Sequence, residues 1–144
     1  MAKKKVCVSF DYEHDKAYYY MMKAWDANSE FQFTFNDRTP TEIQTNSVNV
    51  VKQVLSRKIG EANYMVAIIG EHSNERHPDS KEIGYRNWQA YEIAKNHEYG
   101  NGLVVVKLGM TSVAPDETHN IGAKFVTGFS EDAIIKALDE LAGR

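Results

Sequence analysis

Residues able to do chemistry gather in two stretches of this sequence. The first is Ser9-Phe10-Asp11-Tyr12, which follows the apolar run Val6, Cys7 and Val8. The second runs from Gly70-Glu71-His72-Ser73 to Glu92 and contains His77, Asp79, Tyr85 and Trp88. A phosphate-binding loop needs clustered glycines followed by Lys and Ser/Thr, and no such run exists. A Gly-rich dinucleotide fingerprint and a phosphoacceptor Asp at the end of the third apolar run are also missing. The histidines are His14, His72, His77, His97 and His119; two of them share a stretch with Glu71, Glu75 and Asp79. Their spacing fits no metal-ligand signature, so no metal is expected. A helix expected over residues 85–98 is more informative. It sets Tyr85, Trp88 and Glu92 at i, i+3, i+7 spacing, opposite a sheet-packing stripe of Ala90, Ile93, Ala94 and His97. Two aromatics beside a carboxylate suit a flat ring and a developing positive charge. The plainer reading tucks Trp88 under the preceding loop and leaves Glu92 solvated.

The remaining elements must position these residues. Strands are expected over residues 6–10, 31–35, 64–69, 103–108 and 124–129, and helices over 13–27, 47–59, 85–98 and from Ser130 onward. Tyr18, Met21, Met22 and Trp25 lie at helical spacing in the first helix, and Val48, Val51 and Leu55 in the second. Gly60 is placed to end the second helix, and Ser130 to cap the last, with Ile134, Ile135, Leu138 and Leu141 as its buried stripe. Polar loops are expected over 36–44 and 70–84. Residues 109–122 form a crossover with little periodicity, a loop or at most one helical turn. Near-continuous apolar strands alternating with helices mean a parallel sheet covered on both faces. The expectation is a single α/β domain over residues 1–144, a flavodoxin-like three-layer fold with a five-stranded parallel sheet in the order 2-1-3-4-5. In that order the strand sequence reverses between the first and third strands, where ligands bind beyond the carboxyl ends. Both chemistry-bearing stretches begin there.

The bulk composition sets limits. The 144 residues are 42% hydrophobic and 26% charged, an ordinary globular balance. The net charge of −3 gives no reason to expect a nucleic-acid or membrane surface. One cysteine, Cys7, allows no internal disulfide and reads as a buried small hydrophobe. The N-terminal apolar run is too short for a signal-peptide core or a membrane span, so a cytoplasmic location is expected.

Three pieces of the sequence carry a family resemblance. They are Val6-Cys7-Val8-Ser9-Phe10-Asp11-Tyr12 followed by Asp15; Val66-Ala67-Ile68-Ile69-Gly70; and Trp88-Gln89-Ala90-Tyr91-Glu92-Ile93, which is similar to a W-x-x-x-E-(L/I) helix motif. With the element order they resemble TIR-like domains (Toll/interleukin-1 receptor homology), in particular compact prokaryotic members such as the TIR component of Thoeris anti-phage systems. The resemblance covers most of the chain as far as residue 108. It implies cleavage of the nicotinamide–ribose bond of NAD, with NAD as substrate and Glu92 as the catalytic glutamate. It implies an ADP-ribose-derived, cyclic or linear nucleotide signal in anti-phage defence, read by a separate effector protein. It also implies self-association through TIR surfaces. Phe10, Asp11 and Tyr12 would line the nicotinamide-ribose pocket, Asp37 and Arg38 lie in a loop that would close over it, and Ser73 would offer a hydroxyl. Trp88 would contact ligand or pack within the motif. Residues 72–84 form a longer and more charged segment than the family pattern, a lid or a surface of its own. Two other functions fit the same residues: a non-catalytic TIR-like interaction module, and a nucleoside enzyme such as a deoxyribosyltransferase.

Overall fold

The computed structural model describes residues 4–24, 31–33 and 47–143. Five strands form one sheet: β1 (Lys4–Ser9), β2 (Phe31–Phe33), β3 (Tyr64–Ile69), β4 (Gly102–Lys107) and β5 (Lys124–Thr127). Their spatial order is β2-β1-β3-β4-β5, and every pairing is parallel. Side chains alternate across a strand, and each face of this sheet has its own core. Val6 and Val8, Val66 and Ile68, and Val104 and Val106 point to one face. Cys7, then Met65, Ala67 and Ile69, then Leu103 and Val105 point to the other. Helices α1 (Tyr12–Ala24) and α5 (Glu131–Leu141) cover the first face with Tyr19, Met22, Ile134, Ala137 and Leu138. The second face takes Ile59 from α2 (Val48–Gly60) and Ile93 from α4 (Trp88–Glu98). A smaller cluster of Val51, Leu55, Ile83, Trp88 and Tyr91 fills the space between α2 and α4.

The helix boundaries follow their caps. Ser47 and Ser130 accept hydrogen bonds from the backbone N–H groups of Val50 and Ala133 at the starts of α2 and α5. Acidic Glu131 and Asp132 add charge where the α5 dipole favours it. Gly60, expected to end the second helix, is its last residue. The helix expected over 85–98 begins three residues late, at Trp88. Asn87 stands before it in extended conformation (φ −157°), and its side chain accepts the Ala90 N–H at 2.9 Å. The loop expected over 70–84 contains one helical turn, α3 (Ser80–Ile83). It is fixed by the burial of Ile83 and closed by Gly84 in the left-handed region, where glycine has no Cβ penalty. The crossover before β5 holds a single 3-10 turn, Asp116–Thr118, against α4.

The sheet-packing stripe expected on α4 also differs. Ala90 and Ile93 are buried as expected, but His97 is exposed, and Asn96 takes the inward position. Asn96 donates to the Gly102 carbonyl at 3.1 Å, tying the last turn of α4 to the start of β4. Residues 88–93 of α4 are all buried, because the helix packs against both the sheet and α2. Glu92 is therefore interior.

Candidate active site

The carboxyl ends of β1 and β3 lie side by side, with Ser9 in register with Ala67. The geometry there starts from Gln89. Its Nε2 donates to the Ser9 carbonyl at 3.1 Å and to the Ile68 carbonyl at 2.8 Å, so one amide keys the first turn of α4 to both strand ends. One turn later on the same helix face, Glu92 reaches the same place. Its Oε1 accepts from the Ser9 hydroxyl at 2.9 Å, and its Oε2 is ion-paired with Lys58 Nζ at 2.5 Å. Lys58, in the last turn of α2, also donates to the Val8 carbonyl at 3.3 Å. Glu92 is 2% exposed and Lys58 5%. In this interior each charge depends on the other, since a buried ion without a partner is strongly disfavoured. Four groups from three distant segments thus converge: Ser9, Lys58, Gln89 and Glu92.

A second set of titratable groups surrounds the start of α1. Asp11 accepts from His14 Nδ1 at 2.8 Å, and the His14 ring stacks on His72 with centroids 3.7 Å apart. Glu75 hydrogen-bonds the exposed His72 ring and holds its pKa above the ordinary histidine value. Asp15 is buried, and its Oδ2 has no hydrogen-bond partner among the described residues. Burial pushes this carboxyl above the usual carboxylate range, and the nearby Asp11 adds to the effect. Asp15 lies directly on Gly70: a Cβ there would sit 2.4 Å from Oδ2, so a larger residue would require the carboxylate to move. Among the described residues no group of three or more His, Cys, Asp or Glu side chains is arranged to hold a metal ion.

The residues singled out from sequence have varied positions. Glu92 stands in the convergent group and Asp11 in the second set. Phe10 is core, stacked on Tyr19 at 4.6 Å. Tyr12 opens α1. The Ser73 hydroxyl is occupied inside its own turn, where it accepts the Gly70 N–H at 2.9 Å. Trp88 packs edge-on against Tyr91 in the cluster under α2, as a packing residue. Tyr85 precedes α4 and packs beside the same cluster. Asp37 and Arg38 lie outside the described residues. Sequence reading passed over Lys58, and it named Ser9 and Gln89 only as members of the strand-end stretch and the helix motif. Lys58 looked like an ordinary basic residue near a helix C-terminus, and only its place on the inward face with Leu55 could have marked it.

The family model described as the TIR-like domain of Thoeris protein ThsB matches residues 7–112. That span contains Ser9, Lys58, Gln89 and Glu92. The chain belongs to the ThsB TIR-like family. Membership points to involvement in a Thoeris anti-phage system. No curated protein matches the chain in sequence. Among solved structures, the chain is similar to the CMP N-glycosidase BcmB from Clostridium botulinum, with TM-score 0.58 and 10% identity over 96% of this chain and 99% of that one. It is also similar to a 2-desoxiribosyltransferase from Leishmania mexicana, with TM-score 0.54 and 16% identity over 98% of each chain. At these identities the likeness speaks for the shared fold. Among the described residues, no helix of this ThsB-family chain is long and apolar enough to cross a membrane.

Proposed function

We propose that this ThsB-family chain cleaves the nicotinamide–ribose bond of NAD and passes the ADP-ribosyl group into a nucleotide signal of anti-phage defence. The observation that carries the reading is Glu92. It is a carboxylate on the motif helix, anchored to the carboxyl end of β1 through Ser9 and next to the strand-order reversal. When the C1′–N bond breaks, its electron pair passes to the nicotinamide ring and neutralises it. The leaving group therefore needs no acid. Positive charge develops on the ribose, and a fixed carboxylate stabilises an oxocarbenium-like centre. Attack at C1′ by water, which gives up a proton to solvent, yields ADP-ribose; attack by a nucleophile within the nucleotide yields a cyclic product. Glu92 is buried, so a ribose reaches it only after the crevice opens. The resting rate is then low, and the triggered rate is the one to measure.

The experiment follows nicotinamide release from NAD by the full chain, alone and with lysate of phage-infected cells. Glu92→Gln and Glu92→Ala should lower the triggered rate by about 100-fold or more. Equal rates in both variants and wild type would remove Glu92 from the mechanism. One observation favours a second reading, a non-catalytic interaction module: both carboxylate oxygens of Glu92 are already occupied. Self-association that persists in Glu92→Gln, with no nicotinamide released under any trigger, would support that alternative. The two similar proteins named above are a CMP N-glycosidase and a 2-desoxiribosyltransferase. CMP and deoxynucleosides therefore belong in the same assay as competing substrates.

A further inference from the structure

We infer that Lys58 is a positioning residue of this site, fixing the rotamer and the charge of the Glu92 carboxylate. The inference deepens the NAD-cleaving reading and rests on it for its functional consequence. Three observations lead to it. First, the Lys58 ammonium is clamped between two acceptors from different elements, the Val8 carbonyl of β1 and Oε2 of Glu92 on α4. Second, Ser9 holds the other carboxylate oxygen, so the carboxylate is gripped at both ends and cannot rotate without breaking a buried bond. Gln89 grips the Ser9 carbonyl from the same helix face, which fixes the base of the clamp. Third, the neighbours of Lys58 on the inward side of α2 are the fully buried Leu55 and Ile59. A buried ion pair stabilises a fold no better, and often less well, than apolar side chains of the same volume. Buried apolar residues flank this position on α2, so stability alone gives no reason for a lysine here. A carboxylate that must stay ionised out of water does give one, because burial otherwise drives it to its neutral form.

The test compares Lys58→Met and Lys58→Arg with wild type in two measurements. The first is the titration of the Glu92 side-chain carboxyl followed by carbon NMR on labelled full-length protein, which needs no turnover. Removal of the cation in Lys58→Met should move the midpoint upward, and Lys58→Arg should keep it near wild type. The second is the pH profile of triggered nicotinamide release. Lys58→Met should lose about tenfold or more in kcat with KM little changed, and its acid limb should move to higher pH. Lys58→Arg should recover most of the rate. If Lys58→Met does not fold, Lys58→Gln is read in its place. An unshifted Glu92 titration in the folded variant overturns the inference. So does an undiminished rate and pH profile where wild type is active. If wild type releases no nicotinamide under any trigger, the NAD reading fails on its own, and the titration still decides whether Lys58 sets the state of Glu92.

Discussion

Replacing Glu92 with glutamine keeps the shape of the side chain and takes the Glu92 charge away from the buried Lys58 ammonium. Loss of one partner from a buried pair costs about 3 kcal/mol or more, mostly as the penalty of the charge left behind. Either Glu92→Gln or Lys58→Met should therefore lower stability by that order in urea unfolding. The double variant should lose much less than the sum, giving a large coupling energy. Asp15 shows the opposite economy. Its carboxyl is raised above the ordinary carboxylate range by burial first and by Asp11 second, so the folded chain binds its proton more tightly than the unfolded chain does. The linkage sign follows: between the unfolded and the folded pKa, stability falls as pH rises. Asp15→Asn should raise the urea midpoint at pH 7 and flatten this part of the pH dependence. The carboxylate at position 92 was legible from sequence because its spacing from Trp88 is a motif. Its partners were not. A lysine two residues before the end of α2 looks like a dipole-complementing surface charge, and nothing in helical periodicity says that a long polar stem turns inward. Ser9 was noticed only as the polar end of a strand.

At the scale of elements, Asn87 ties the start of α4 to the preceding loop. The Asn87 side chain accepts the Ala90 N–H, and its Nδ2 donates to the carbonyls of Ser73 and Glu75 at 2.8 and 2.9 Å. The cap and the loop anchor are thus separate halves of one amide. Asn87→Asp keeps the acceptor and loses both donors; Asn87→Ala loses everything. Both variants should be cut faster by protease between residues 74 and 86. Asn87→Ala should be the less stable of the two by about 1 kcal/mol, the usual worth of an N-cap. The same residue explains why the sequence reading began this helix too early. Tyr85 and Trp88 share a helical spacing, and that spacing outweighed an Asn immediately before the first helical residue. The orientation of α4 misled in a similar way. Periodicity finds an apolar stripe, but the inward face carries Gln89, Glu92 and Asn96, whose side chains make hydrogen bonds to β1, β3 and the start of β4 that spacing does not reveal.

Across the whole molecule, apolar runs separated by helical patterns were enough to identify an α/β chain with a parallel sheet. What connects β4 to β5 was harder to read, because residues 109–122 have no period and fold as one 3-10 turn among loops. The family match ends at residue 112, yet the remaining residues are structural. Ile134, Ala137 and Leu138 of α5 lie in the same core as Val8, Val66 and Val104. A chain cut after residue 112 would lose β5 and leave only α1 on that sheet face. It should lose cooperative thermal unfolding, which circular dichroism would record as a broad, sloping change in place of a transition.

The single thiol of the chain, on Cys7, is fully buried on a strand flanked on both sides, two residues before Ser9. A thiol reagent reaches it only when β1 is exposed, so the labelling rate measures how often the centre of the sheet opens in plain buffer. A molecule seated at the end of β1 holds the sheet closed and slows labelling according to its concentration over its Kd. That slowing is the same whether the bound molecule is consumed or not. Labelling in the presence of a non-hydrolysable NAD analogue would therefore weigh the affinity of the resting protein without waiting for its trigger.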